Sequence, residues 1–207
     1  MLPYIAHIPD SSLYPNPALI CFLHGYDEGR YDAHDALELV NLNRHGPLSH
    51  GAAPAFRHCV IVMPQLPRRG DLWNEFSGSV NQIVKEALVN YNCNPEQVVL
   101  TGFSFGANGV FDIFQTCPSL YKILIPVDPT RCPELNLNCA IWMYSGECSR
   151  RRERMFVDTL ELVKTMEHYD RNTSKKWLTD NGLNHVETAK DAYSNPELVM
   201  WIKNVSK

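Results

Sequence analysis

One hydroxyl stands between two glycines in Gly102-Phe103-Ser104-Phe105-Gly106. The residues before it, Val98 to Thr101, are apolar or β-branched, as in a buried strand, and those from Gly106 to Cys117 place apolar residues at helical spacing. A sharp turn from strand to helix brings the two elements almost into collision, so the positions two before and two after the turn residue must lack bulk. Such a turn lifts the hydroxyl above the sheet, and the free N–H groups and positive end of the new helix favour an oxyanion developing there. At ordinary glycine and serine frequencies a chain of this length meets the pattern by accident in fewer than about one case in ten. Ser104 is therefore the expected nucleophile.

A hydroxyl needs a base, and the base needs a carboxylate to fix its tautomer and stabilise its charged form. Of the eight histidines, His24 follows the first core run in "FLHGYDEG", while His45, His50 and His58 fall in or beside a polar loop and read as solvated or structural. His7 and His168 have no constellation near them. His185, in the polar stretch "LTDNGLNHVETAKDAYS", reads as a residue of the loop between the last strand and the last helix, and is the expected base. Two acids follow strands: Asp128 in "PVDPTR" and Glu147 in "MYSGECSRR". Either keeps the chain order serine, acid, histidine.

The elements that must position these groups alternate. Strands are predicted over 18–23, 58–64, 97–103, 121–127, 138–145 and 174–180. Helices are predicted over 32–42, 78–91, 106–117, 152–169 and 195–205. That alternation implies an α/β fold with a mostly parallel twisted sheet, helices on both faces, and sites at the carboxyl ends of the strands. The length of 207 residues suits one domain, 1–207.

Composition narrows the function. A net charge of −4 gives no support to a nucleic-acid-binding face. The longest apolar runs are strand-sized, so no membrane span is expected, and the first residues show no secretory pattern. The seven scattered cysteines, with no C-x-x-C, read as small buried side chains in a reducing, cytoplasmic setting. No nucleotide-binding glycine loop and no paired ligand spacing appears, so neither cofactor nor metal is expected. "RRRER" (150–154), like Arg68 and Arg69, reads as a solvated charged face.

Four segments in order, "FLHGYDEG", "VIVMPQLPRRGDLW", "LTGFSFGANGVFDIF" and "NHVETAKDAYSNPELVMWI", resemble the α/β-hydrolase superfamily, close to its esterase, dienelactone-hydrolase and acyl-protein-thioesterase branch. The resemblance covers nearly the whole chain. It implies an α/β-hydrolase fold and a serine hydrolase acting on carboxylic esters or thioesters; only about ten residues separate the strands over 121–127 and 138–145, which leaves minimal or no room for a lid and favours a small or extended acyl substrate. In that scheme Ser104 attacks, His185 is the base, and the backbone N–H groups of Tyr26 and Phe105 form the oxyanion hole. Trp73, Phe76 and His24 are candidate pocket residues. One departure stands out. The branch carries its acid in a G-x-x-D pattern after the strand that here ends "WMYSGE", and Ser149 occupies that position. Pancreatic-type lipases carry the acid one strand earlier, in a segment similar to "VDPT" here, which makes Asp128 the preferred acid and Glu147 the alternative. The missing acid also leaves open a dyad without carboxylate, or a non-catalytic binding protein. Peptidase, lactonase and acyltransferase chemistry would use the same groups. The sequence is silent on oligomeric state.

Overall fold

The computed structural model describes residues 1–29, 44–165 and 175–205. The helix expected over 32–42 lies outside the described residues.

The strands are β1 (Tyr4–His7), β2 (Leu19–Leu23), β3 (Val60–Pro64), β4 (Val98–Phe103), β5 (Ile123–Val127), β6 (Ala140–Ser145), β7 (Val163–Lys164) and β8 (Lys176–Asp180). They form one sheet in the order β1-β3-β2-β4-β5-β6-β8-β7, parallel except for β1, which runs antiparallel to β3. Among the described residues the α-helices are α1 (Ser77–Asn90), α2 (Phe105–Thr116), α3 (Glu147–Arg150), α4 (Glu153–Leu160), α5 (His185–Ser194) and α6 (Pro196–Val205).

Every residue of β2 to β6 is buried. Strands covered on both faces have no polar side to alternate with, hence their continuous apolar sequences. Leu19, Cys21 and Leu23 face the core beneath α1, α2 and α4, whereas Ile20 and Phe22 face the core beneath α5 and α6.

The connections place the site. From β2 the chain crosses to β3 on one side and then returns to β4 on the other. The carboxyl ends of β2 and β4 thus flank the point where strand order reverses, the usual ligand crevice of open α/β sheets. His24 follows β2 and Ser104 follows β4.

The helix expected over 152–169 stops at Leu160, with residues 166–169 outside the described set. Phe156 and Leu160 bury the apolar face of α4, and Glu161 then turns left-handed (φ 56°) and ends the helix. Val163 and Lys164 pair with Trp177 and Leu178 as an edge strand, so pairing to the sheet overrides the helical spacing. The seven cysteines are all free, and no helix among the described residues is long and apolar enough to cross a membrane.

Candidate active site

Ser104 sits at φ 57°, ψ −115°, between the end of β4 and the start of α2. Side chains with a Cβ avoid that conformation, which costs on the order of 1–3 kcal/mol and persists only where the surroundings impose it. The glycines show what imposes it. A Cβ on Gly106 would stand 1.9 Å from the Leu23 carbonyl oxygen, and one on Gly102 would stand 2.5 Å from the Gly106 backbone. The bare positions let α2 begin almost on top of β2 and β4. Ser104 itself is 8 % exposed.

Asp128 directly follows β5 and is fully buried, with a left-handed backbone (φ 44°) that aspartate tolerates. Its N–H donates to the Tyr144 carbonyl at 2.7 Å, which ties it to the end of β6. The turn after β6 delivers donors to its carboxylate. Oδ1 accepts from Gly146 N (3.0 Å), Ser149 N (2.9 Å) and Ser149 Oγ (2.7 Å), and Oδ2 from Cys148 N (3.2 Å). His185 Nδ1 lies 2.5 Å from Oδ2. Burial pushes the carboxyl up, but the bonds from His185, Ser149 and Cys148 outweigh it and hold Asp128 below the usual carboxylate range. Gly146 must be bare, because a Cβ there would stand 2.7 Å from Asp128 Oδ2 and 2.3 Å from Thr188 Oγ1. Asn108, on α2, secures the next residues: its Oδ1 accepts from Thr130 N (3.0 Å) and Arg131 N (3.2 Å).

His185 is the first residue of a helix and not, as expected, part of a loop. The Asn184 side chain caps α5 by accepting from Glu187 N at 2.9 Å. The same helix is pinned from below, where the buried Tyr193 hydroxyl meets Thr101 Oγ1 of β4 at 2.8 Å. Arg150 braces the preceding loop with a bidentate pair to Asp180 (2.7 Å to each oxygen) and a bond to the Leu183 carbonyl (3.0 Å). It is thus not simply part of a solvated charged face. The imidazole packs on the ring of Phe103, the residue before Ser104, with centroids 4.4 Å apart.

Glu147, the alternative acid, is the exposed first residue of α3. Ser149, where the branch would carry its acid, is buried and donates to Asp128 instead. Cys148 Sγ, an Asp128 oxygen and a His185 nitrogen lie within 4.8 Å of one another. They suit a hydrogen-bonded pair better than a ligand set, since the carboxylate already has donors on both oxygens and burial pushes the Cys148 thiol up, away from the thiolate a metal requires.

The pocket expectations need correction. His24 is fully buried, held among backbone partners. Its Nδ1 donates to the Gly25 carbonyl (2.8 Å) and its Nε2 accepts from Leu66 N (3.1 Å), a tautomer assigned from these partners. Burial keeps the ring neutral by pushing its pKa down. Trp73 is 2 % exposed and donates to the His24 carbonyl. Its edge still borders a cavity of about 450 Å³ together with Leu72, Phe105, Asn108 and Thr130. Phe76 is packed against the core. Tyr26 and Phe105 meet ring to ring at 4.9 Å, which puts the ends of β2 and β4 in contact.

No family model and no curated protein matches the sequence. Solved structures do. A thermostable esterase superposes with a TM-score of 0.71 at 19% identity, over 98% of this chain and 58% of its own, so this chain spans less than two thirds of that esterase. S-formylglutathione hydrolase from Agrobacterium tumefaciens superposes with a TM-score of 0.65 at 10% identity, over 97% of this chain and 89% of its own. The fluorophosphonate-binding serine hydrolase FphF of Staphylococcus aureus gives 0.57 at 12% identity, over 98% and 99%. The fold is that of the α/β-hydrolases.

Proposed function

We propose that the protein is a serine hydrolase of small carboxylic esters or thioesters, with Ser104, His185 and Asp128 as its triad. The observation that carries this reading is the buried Asp128 carboxylate against His185 Nδ1 at 2.5 Å, with the imidazole packed on Phe103, one residue before the strained turn at Ser104. Asp128 holds the Nδ1 proton, which leaves Nε2 free to take the Ser104 proton as Oγ attacks the acyl carbon. Nε2 passes that proton to the leaving group, and in the second half activates the water that cleaves the acyl-Ser104 ester. The N–H groups of Phe105, at the start of α2, and Tyr26 receive the oxyanion. The cavity bordered by Phe105 and Trp73 receives one side of the substrate. Residues 128–139 join β5 to β6 directly, which favours short, accessible esters. The reading gains support from the esterases and serine hydrolases that share the fold.

The test is hydrolysis of a panel of p-nitrophenyl esters, thioesters and lactones beside Ser104→Ala, with fluorophosphonate labelling of the folded protein. Turnover and labelling that both vanish in Ser104→Ala are expected. Hydrolysis that survives the substitution, or no hydrolysis and no labelling of Ser104, would refute the reading.

A further inference from the structure

Downstream of His24 lies a second histidine–carboxylate pair, which the proposed triad does not use. Glu28 is 5 % exposed, yet both its oxygens are engaged: Oε2 accepts from Gly25 N at 2.7 Å, and Oε1 faces His45 Nδ1 at 3.1 Å. The His45 ring packs on Phe103 at 5.1 Å, next to the site where His185 packs on the same ring. Gln65 Nε2 donates to the Glu28 carbonyl.

These bonds all act on one short segment, and its polar groups can be accounted for in turn. The His24 carbonyl takes Trp73 Nε1 (3.1 Å), the Gly25 N–H goes to Glu28, and the Gly25 carbonyl takes His24 Nδ1 (2.8 Å). The Tyr26 carbonyl takes Gly70 N at 3.2 Å. Among the described residues no acceptor takes the Tyr26 N–H. A trans peptide is planar, so the Tyr26 N–H points opposite the Gly25 carbonyl. That carbonyl is held by the buried His24, and the N–H is therefore turned away from it.

A turn can be made without burying a carboxylate, and burying one is unfavourable unless it is well bonded. We infer that Glu28, held by His45, is a positioning residue that fixes the Gly25–Tyr26 peptide so that the Tyr26 N–H is aimed as an oxyanion donor. Glu28 acts through the backbone and does not touch substrate. The inference rests on the hydrolase reading above, and predicts a defect confined to the charged tetrahedral state.

The experiment measures kcat and KM for a short p-nitrophenyl ester, and affinity for a phenylboronic acid that mimics the tetrahedral adduct. The full-length proteins are wild type, Glu28→Ala, Glu28→Gln, His45→Ala and Ser104→Ala. Glu28→Ala should lower kcat by about 10²-fold, the scale of losing one oxyanion donor, with KM within about threefold and boronate affinity falling in parallel with kcat. Glu28→Gln keeps an acceptor for Gly25 N–H and should recover most of the loss, while His45→Ala should fall in between. If Glu28→Ala does not fold, His45→Ala decides by the same split, with a drop in kcat and boronate affinity at nearly constant KM. A folded Glu28→Ala or His45→Ala with unchanged kcat, or with a rise in KM alone, would overturn the inference and leave the hydrolase reading standing. Turnover absent from wild type, or retained in Ser104→Ala, would overturn both.

Discussion

Replacing Asp128 by asparagine changes one charge and almost no volume, and asparagine tolerates the left-handed backbone at this position as well as aspartate does. The consequence can be worked out bond by bond. Oδ1 accepts from Gly146 N, Ser149 N and Ser149 Oγ, whereas Oδ2 accepts from Cys148 N and faces His185 Nδ1. The amide oxygen of asparagine must therefore stay at the Oδ1 position, because the opposite flip would aim NH2 at three donors. That leaves NH2 facing the Cys148 N–H and the imidazole. His185 can meet it only by offering a lone pair at Nδ1 and moving its proton to Nε2, the tautomer that cannot accept the Ser104 proton.

The expected loss in kcat is on the order of 10⁴-fold, the scale set by a wrong tautomer in Ser-His-Asp sites. That corresponds to about 5 kcal/mol of barrier. Stability should fall by less, about 1–3 kcal/mol, for one buried N–H left unpaired. The assay is kcat for p-nitrophenyl acetate beside thermal unfolding of the same preparation, with Glu147→Gln as companion. Glu147 is exposed, and its substitution should leave kcat within about twofold, as for a surface change. A folded Asp128→Asn with more than a tenth of wild-type turnover, or a larger loss in Glu147→Gln, would refute the reasoning.

Three further outcomes follow from the same geometry. Ser149→Ala removes a 2.7 Å bond to a charged acceptor, and should cost about 1.5–3 kcal/mol in denaturant unfolding while lowering kcat less than tenfold, since the other donors remain. Gly106→Ala would drive a Cβ to 1.9 Å from the Leu23 carbonyl and should cost about 3 kcal/mol or more, whereas Gly78→Ala, with no atom within 4 Å of the added Cβ, should stabilise α1 by about 0.5–1 kcal/mol; thermal melts compare the two. The third outcome concerns pH. The folded pKa of Asp128 is depressed, so its contribution to stability is fully present above the unfolded value near ~4 and disappears as the pH falls through the folded value. Asp180, also lowered despite burial by its bonds from Arg150, adds a contribution of the same sign. Urea titrations between about pH 5 and pH 3 should show the wild type losing stability more steeply than Asp128→Asn, and equal slopes would contradict the assignment.

Much of this was readable from residue order alone. The central strands are covered on both faces, and that demand leaves an apolar run in the sequence. The glycines around Ser104 are legible for a similar reason, because a backbone collision prohibits every larger side chain. Helix α5 was missed, since its buried face is carried by only a few small or aromatic residues such as Ala189, Ala192 and Tyr193. A capping pattern was nonetheless present, Asn184 followed three residues later by Glu187. The break at Glu161 was hidden because Leu160 and Leu162 continue an apolar pattern that edge pairing overrides. His24 misled because position at a strand end does not say whether a side chain faces the crevice or the core. His45 read as a loop residue because its partner, Glu28, is brought to it only by the fold.

Asp128 illustrates how a turn can bind a carboxylate carried by a neighbouring strand. The turn after β6 supplies N–H groups from Gly146, Cys148 and Ser149 that converge on the carboxylate's two oxygens. The carboxylate itself comes from the residue after β5, and Ser149, on the turn, adds its hydroxyl at 2.7 Å. The negative charge lies within reach of His185, the first residue of α5. The cost is that acid and donors belong to different strands, so their alignment depends on the register of β5 against β6. That register is fixed where it matters most, by Val127 opposite Tyr144 and by the Asp128 N–H on the Tyr144 carbonyl. Asn108 adds a second tie from the helix that opens at Ser104 itself, so that helix and the loop after Asp128 are held to one another directly.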